Sequence, residues 1–247
     1  MNKIKKFSSL FLCSAMALSL GLTAFAAATN SNATKNYDVI SEEDIMQIKE
    51  ETQEILDYAN SYYTIEKIDE ELFEEDIDFD ELTKMYVVED TLSYSDEVNL
   101  DDKDYILTLP IQSGSKTVEI IFNKIKPLTD EAKERLSQEA IKELESYEGK
   151  FKVSGAILHD NKMSYKENTE SIFEQNNIDP NEYSVVNITA MPGVNAPMTL
   201  LIKNDTIKKA FINDSIQNIN ARTSNDSNTV YDFSYFMDVS QDFLENN

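Results

Sequence analysis

Ile77-Asp78-Phe79-Asp80-Glu81-Leu82-Thr83 and Ile178-Asp179-Pro180-Asn181-Glu182-Tyr183-Ser184 agree or nearly agree at five of seven positions. Each follows a helical or acidic, helix-like stretch, and each precedes three segments with strand character. A duplicated αβββ unit accounts for the match, and so does chance in a chain this rich in Asp and Glu. Either way the pattern predicts an α+β protein in which antiparallel sheet packs against helices, with two αβββ units as the form a true repeat gives it.

Around the first stretch, Ser41 with Asp44 three residues on is a helix-start signal, and Ile45, Ile48, Ile55, Leu56 and Ala59 follow at helical spacing. The spacing predicts a helix over 42–62, with Glu50, Glu51, Glu54 and Asp57 on its solvated face. The acid-crowded run 65–82 reads as short helix or ordered loop. Strands are expected over 85–89, 105–112 and 117–125, the last two forming a hairpin through Ser113-Gly114-Ser115. These elements make a first unit over 41–126.

The second unit, 127–247, opens at Pro127. Thr129 can cap a helix whose first turn holds Asp130 and Glu131, Gly149 stands at a C-terminal stop, and Ala132, Leu136, Ala140 and Leu144 share a face. A single helix over 129–148 bridging the units is expected. A strand over 151–158 follows, then a helix capped by Ser164 and Glu167 that carries Ile172 and Phe173 and ends near Asn176. Strands over 184–189, 198–203 and 206–212 complete the unit, the last two joined by Asn204-Asp205, a pair suited to a tight turn. Residues 214–228 read as a polar loop. In the tail, Phe233, Phe236, Met237 and Leu244 fit a short helix, while 231–236 also alternates as a strand.

At the other end, Lys3, Lys5 and Lys6 precede an apolar run over 7–22 and the small-residue sites Ala24-Phe25-Ala26 and Ala26-Ala27-Ala28. Those are the three parts of a secretory signal of bacterial type, so residues 1–28 are expected to be cleaved, leaving a flexible leader over 29–40 and a secreted, extracellular domain. No later apolar run is long enough to cross a membrane. Cleavage removes Cys13, the one cysteine of the chain, and with it any disulfide or thiolate chemistry.

The chain holds 22 basic and 46 acidic side chains, a net charge of -24, and losing the three signal lysines, Lys3, Lys5 and Lys6, leaves 19 basic ones. Such a charge repels nucleic acid phosphates and excludes nucleic-acid binding. It favours cationic partners: a protein, a peptide or a cationic envelope component.

Few residues carry a mechanism. Asp76, Asp78 and Asp80 have the alternate spacing that begins a calcium loop, but Glu81 stands where the loop needs glycine and Val87 where it needs a bidentate Glu. What remains is a weak, solvent-exposed calcium contact there or at Asp101, Asp102 and Asp104; no other cofactor is expected. His159, the single histidine, reads as a surface residue at a strand end beside Asp160. Ser113-Gly114-Ser115-Lys116 matches S-x-x-K, but it falls in a hairpin turn rather than at a helix start. Five glycines leave no phosphate-cradling pattern. Met191-Pro192-Gly193-Val194-Asn195-Ala196-Pro197 is the most distinctive loop and reads as a rigid connection between strands.

No catalytic residue is assigned from sequence. The composition favours a secreted, non-catalytic binding protein; an extracellular hydrolase built on an Asp/Glu pair and a weak calcium-dependent structural module are the other readings.

Overall fold

In a computed structural model, the described residues are 37–65, 68, 70–88, 100, 103–160, 163–194, 196–213 and 229–246. The expected secretory signal over 1–28, most of the expected leader, Asp101, Asp102 and the expected polar loop over 214–228 lie outside them. Fourteen helices and strands follow in chain order: α1 (Glu42–Glu50), α2 (Thr52–Ile65), β1 (Thr83–Val87), β2 (Tyr105–Ser113), β3 (Lys116–Lys124), α3 (Asp130–Arg135), α4 (Gln138–Glu145), β4 (Phe151–Asp160), α5 (Tyr165–Asn176), β5 (Ser184–Thr189), β6 (Met198–Lys203), β7 (Thr206–Ile212), β8 (Tyr231–Asp232) and α6 (Phe233–Asn246). They belong to one compact unit, Thr34–Asn247. Among the described residues no helix is long and apolar enough to cross a membrane.

The two seven-residue stretches do the same local job. Asp78 Oδ1 accepts the Asp80 N–H at 3.0 Å and Asp179 Oδ1 accepts the Asn181 N–H at 2.9 Å, each capping a 3₁₀ turn that feeds a strand. Those strands, β1 and β5, lie side by side and parallel at the centre of an eight-stranded sheet of order β4-β3-β2-β1-β5-β6-β7-β8. All other pairs are antiparallel. From this seam the hairpins of the two αβββ units run outward in opposite directions.

Two units related across parallel strands must present opposite faces, and the register shows that they do. Tyr86 sits opposite Ile188 and Tyr105, and Leu107 opposite Lys84 and Phe122, so all these side chains share one face. On that face α1 and α2 lay Ile48, Ile55 and Ala59 over Leu107, Leu109, Ile120 and Phe122. Helix α6 covers the same face further on, setting Phe236 and Met237 among Val186, Ile188, Leu200 and Ala210. Helix α5 lies on the opposite face, where Ile172 and Phe173 meet Leu201 and Phe211.

Several boundaries differ from expectation for local reasons. The helix expected over 42–62 breaks at Glu51, whose N–H returns to the Ile48 carbonyl while the Thr52 hydroxyl donates to the Lys49 carbonyl. The bridging helix over 129–148 is two short helices: Leu136 is extended, and Ser137 Oγ starts α4 by accepting the Ala140 N–H at 3.2 Å. They do not bridge the units. Ile125 and the residues Gly149 and Lys150 exchange backbone bonds at 2.9 Å, so α3 and α4 form an excursion that leaves β3 and returns beside it. The tail is strand and helix in turn, β8 then α6.

Candidate functional site

Polar chemistry gathers at three places. Beside the seam, Lys84 Nζ stands 4.3 Å from the ring centre of Tyr105 and 4.6 Å from that of Tyr86. Lys124 lies 5.2 Å from the Phe151 ring, and its ammonium is 3.6 Å from the buried Asp44. Asp44 in turn accepts the Tyr105 hydroxyl at 3.2 Å, and the Tyr86 hydroxyl donates to the Tyr37 carbonyl at 3.1 Å. Burial, and then the charge and hydrogen bond of Asp44, push the Tyr105 phenol up to about 12, so it stays a neutral donor. Burial pushes the Asp38 carboxyl up to about 7, against the opposing pull of Lys84. The Asp38 carboxyl thus titrates near neutrality in the field of the Lys84 ammonium.

At the edge of the same face, Lys152 reaches from β4 to Glu51 at 2.6 Å and Glu54 at 3.9 Å. The two carboxyls part in opposite directions. Partial burial alone would raise Glu51, but hydrogen bonds from Glu54 and Lys152 and the nearby ammonium charges outweigh it and hold Glu51 below the usual range. Glu54 is raised, first by its hydrogen bond to Glu51, then by burial. One acid donor beside one carboxylate is the arrangement that general acid–base chemistry uses. Neither residue lines the surface clefts formed by Thr189–Val194, Ala196 and Pro197 with Phe243 or by Thr129, Glu131, Ala132, Arg135 and Leu136.

The third place corrects the reading of His159. It does stand at the end of β4, one residue before Asp160, but it is not a free surface residue: its side chain is 10% exposed and its Nε2 lies 2.9 Å from Oε2 of Glu119, which is 4% exposed. The β3–β4 register sets Thr117 opposite His159 and Glu119 one diagonal step away, on the face opposite α1 and α2. Alternation along β3 sets Glu119 on the face away from Val118 and Ile120, and only the pairing of two distant strands reveals its partner.

Two of the calcium candidates, Asp76 and Asp78, hold local hydrogen bonds. Asp76 Oδ2 accepts the Phe73 N–H at 2.7 Å, Asp78 caps its 3₁₀ turn, and Asp80 is exposed. Among the described residues no three His, Cys, Asp or Glu side chains converge as a metal site. Asp104 pairs with Lys126 at 2.6 Å. In Ser113-Gly114-Ser115-Lys116, the Ser113 hydroxyl exchanges hydrogen bonds with the Glu70 backbone and Lys116 pairs with Asp160, so neither serves as nucleophile or base.

No family model, curated protein or solved structure matches the chain. Its chemistry therefore rests on these contacts and on one further feature, an open cleft of about 330 Å³ between Thr189–Val194, Ala196 and Pro197 on one side and Phe243 of α6 on the other.

Proposed function

We propose that the chain is exported by its N-terminal 28 residues and acts outside the cell as a non-catalytic binding protein for a cationic protein, peptide or envelope component. The placement of charge carries this reading. Lys124, Lys126, Lys133, Lys152 and Lys203 each reach a carboxylate of the same molecule, so much of the small cationic complement is neutralised internally. Glu70, Glu71, Glu74, Glu75 and Asp80 are exposed and pair with no cation among the described residues. The surface field that remains is negative and attracts cations.

The test is calorimetric titration of the mature protein with a blocked oligolysine and a blocked oligoglutamate, at low and high salt. Oligolysine should bind and weaken steeply with salt, and oligoglutamate should not bind. Equal or absent binding of both would refute the reading. Export is checked separately by mass spectrometry, which should find a mature N-terminus at Ala27 or Thr29.

A second reading has its own observation, the split carboxyl pair Glu51 and Glu54, which supports an extracellular hydrolase. Turnover in a peptidase, esterase and glycosidase screen that collapses in Glu54→Gln would replace binding by hydrolysis as the function.

A further inference from the structure

The sheet ends unequally. At one end β8 is two residues long and runs straight into α6, which leaves little edge to pair. At the other end β4 runs for ten residues, Phe151–Asp160, and among the described residues no strand other than β3 pairs with it. A strand paired on one side turns the N–H and C=O of about every second residue away from its neighbour. Such an edge is a template for another extended segment.

Natural edges are blunted by proline, by charge, by a bulge or by a covering element. Helix α1 closes the start of β4, where Gln47 Oε1 accepts the Phe151 N–H at 3.3 Å. Beyond Lys152 the strand reads Val153-Ser154-Gly155-Ala156-Ile157-Leu158, with neither proline nor charge. On the face away from α1 and α2, Ile157 is 46% exposed and a Cβ on Gly155 would meet no atom within 4 Å, so no side-chain bulk shields this stretch. The protective device that remains is a bulge. Ser154 is the extra residue between Val153, opposite Phe122, and Gly155, opposite Ile121, and its hydroxyl donates to the Ile121 carbonyl at 3.0 Å. A bulge twists the edge, which hinders the flat pairing of two folded sheets but not a flexible chain that follows the twist.

The flank of β4 toward α1 and α2 is crowded with negative charge. Glu51 and Glu54 share the Lys152 ammonium at 2.6 and 3.9 Å, and Lys150 adds its field at Glu51. Glu54 is nevertheless held above the usual range, by its hydrogen bond to Glu51, by burial and by the charges of Glu51 and Asp57, against the pull of Lys152. A further cation at this flank relieves that crowding. The same excess argues against a second copy as the occupant, because two chains of net charge -24 repel.

We propose that the outer edge of β4 takes up an extended segment of a cationic partner as a further strand, with Lys or Arg toward Glu51 and Glu54 and apolar side chains beside Ile157. The site rests on the binding reading above and gives it a location. Side chains of a strand alternate between faces, so the recognised pattern is cationic and apolar residues in alternation. Main-chain hydrogen bonds supply the affinity, and the alternation selects the segment.

Two blocked heptapeptides test it: Lys-Val-Lys-Val-Lys-Val-Lys, and the same peptide methylated on every backbone nitrogen, which keeps charges and side chains but cannot donate to a sheet edge. Titrated into the mature protein, the first should bind roughly tenfold more tightly, as the loss of two or more main-chain bonds predicts. It should also slow the hydrogen exchange of outward-facing amides within Val153–Asp160, and the methylated peptide should not. Glu54→Gln should weaken the first peptide about two- to fivefold, the scale of one exposed charge pair. Glu174→Gln, at an exposed position of α5 on the opposite face of the sheet, should leave it unchanged. Equal binding of the two peptides, slowed exchange elsewhere than β4, or equal losses in the two variants would overturn the edge site while leaving charge-driven binding standing. Self-association that slows the same β4 amides without peptide would give the edge to a second copy and overturn the proposal. No binding of either peptide would overturn the binding reading beneath it.

Discussion

The two αβββ units share a topology but not the way their helices are held. Under α1 and α2 the interface is mostly apolar, with Ile48, Ile55, Ala59, Leu107, Leu109, Ile111, Ile120 and Phe122 all fully buried and the buried Asp44 as its polar exception at the edge beside Tyr105. Under α5 the apolar cluster is small, and beside it runs a buried polar chain. Thr199 donates to Asn187 at 2.8 Å, Asn213 Nδ2 lies 2.7 Å from Thr199 Oγ1 and 3.2 Å from the Tyr165 carbonyl, and Asn168 donates to Asn213 Oδ1 at 2.7 Å. Apolar contact is indifferent to small shifts, whereas a satisfied amide network accepts one arrangement only. The first unit thus gains stability from its helix layer, and the second gains a fixed position for α5 against β5–β7, and so for the strand that leads to the cleft.

The comparison breaks first where its largest effects lie. Leu107→Ala should cost about 3–4 kcal/mol, from lost burial plus a cavity, read by denaturant unfolding with an unchanged m-value. Asn213→Ala should cost about 2–3 kcal/mol, mainly by stranding Asn168 and Thr199. The double change with Asn168→Ala should then cost less than the two single changes together, because each partner is stranded only once. A fully additive double would show that the amides do not act as one network.

A smaller pair of effects tests the symmetry itself. Asp78→Ala and Asp179→Ala remove equivalent caps and should destabilise equally within error, each by less than Asn213→Ala. Asp179 is held below its usual range by the Asn181 backbone N–H, and Asp78 makes the matching bond. Unequal losses would mean that the two turns are alike in outline only.

The remaining effect is a slope with pH rather than a loss on substitution, and it concerns the proton on Asp38. Its folded value of about 7 exceeds the ordinary 3.8, so between those values the native state binds more protons than the unfolded chain. Stability should therefore fall as pH rises from about 4 to about 7, and Asp38→Asn should flatten that slope. A slope unchanged by the substitution would remove Asp38 from the account.

Local chemistry was legible in the sequence where it is self-contained. The Ser164–Glu167 capping box starts α5 and Asn177, left-handed at φ of 54°, ends it. Asn204 and Asp205 take the two positive φ values of a tight turn, and β5, β6 and β7 have the expected limits. The break at Ser137 was missed because the apolar spacing of Ala132, Leu136, Ala140 and Leu144 runs across it. Non-local features left no trace: a parallel β1–β5 seam has no turn to announce it, Lys152 meets Glu51 across 101 residues, and Glu119 meets His159 across 40. The Met191–Pro197 loop drew notice for its prolines, but its role as the wall of a cleft depends on where α6 returns.

The central claim is that the two units form one frame joined through the parallel seam, and native-state hydrogen exchange tests it most directly. Amides of Met85–Val87 on β1 and Asn187–Thr189 on β5 that bond across the seam should exchange only through global unfolding, with the same opening free energy as the β2–β3 ladder. Seam amides that exchange early while β2–β3 stays protected would mean that the units open independently, and the single frame would be contradicted.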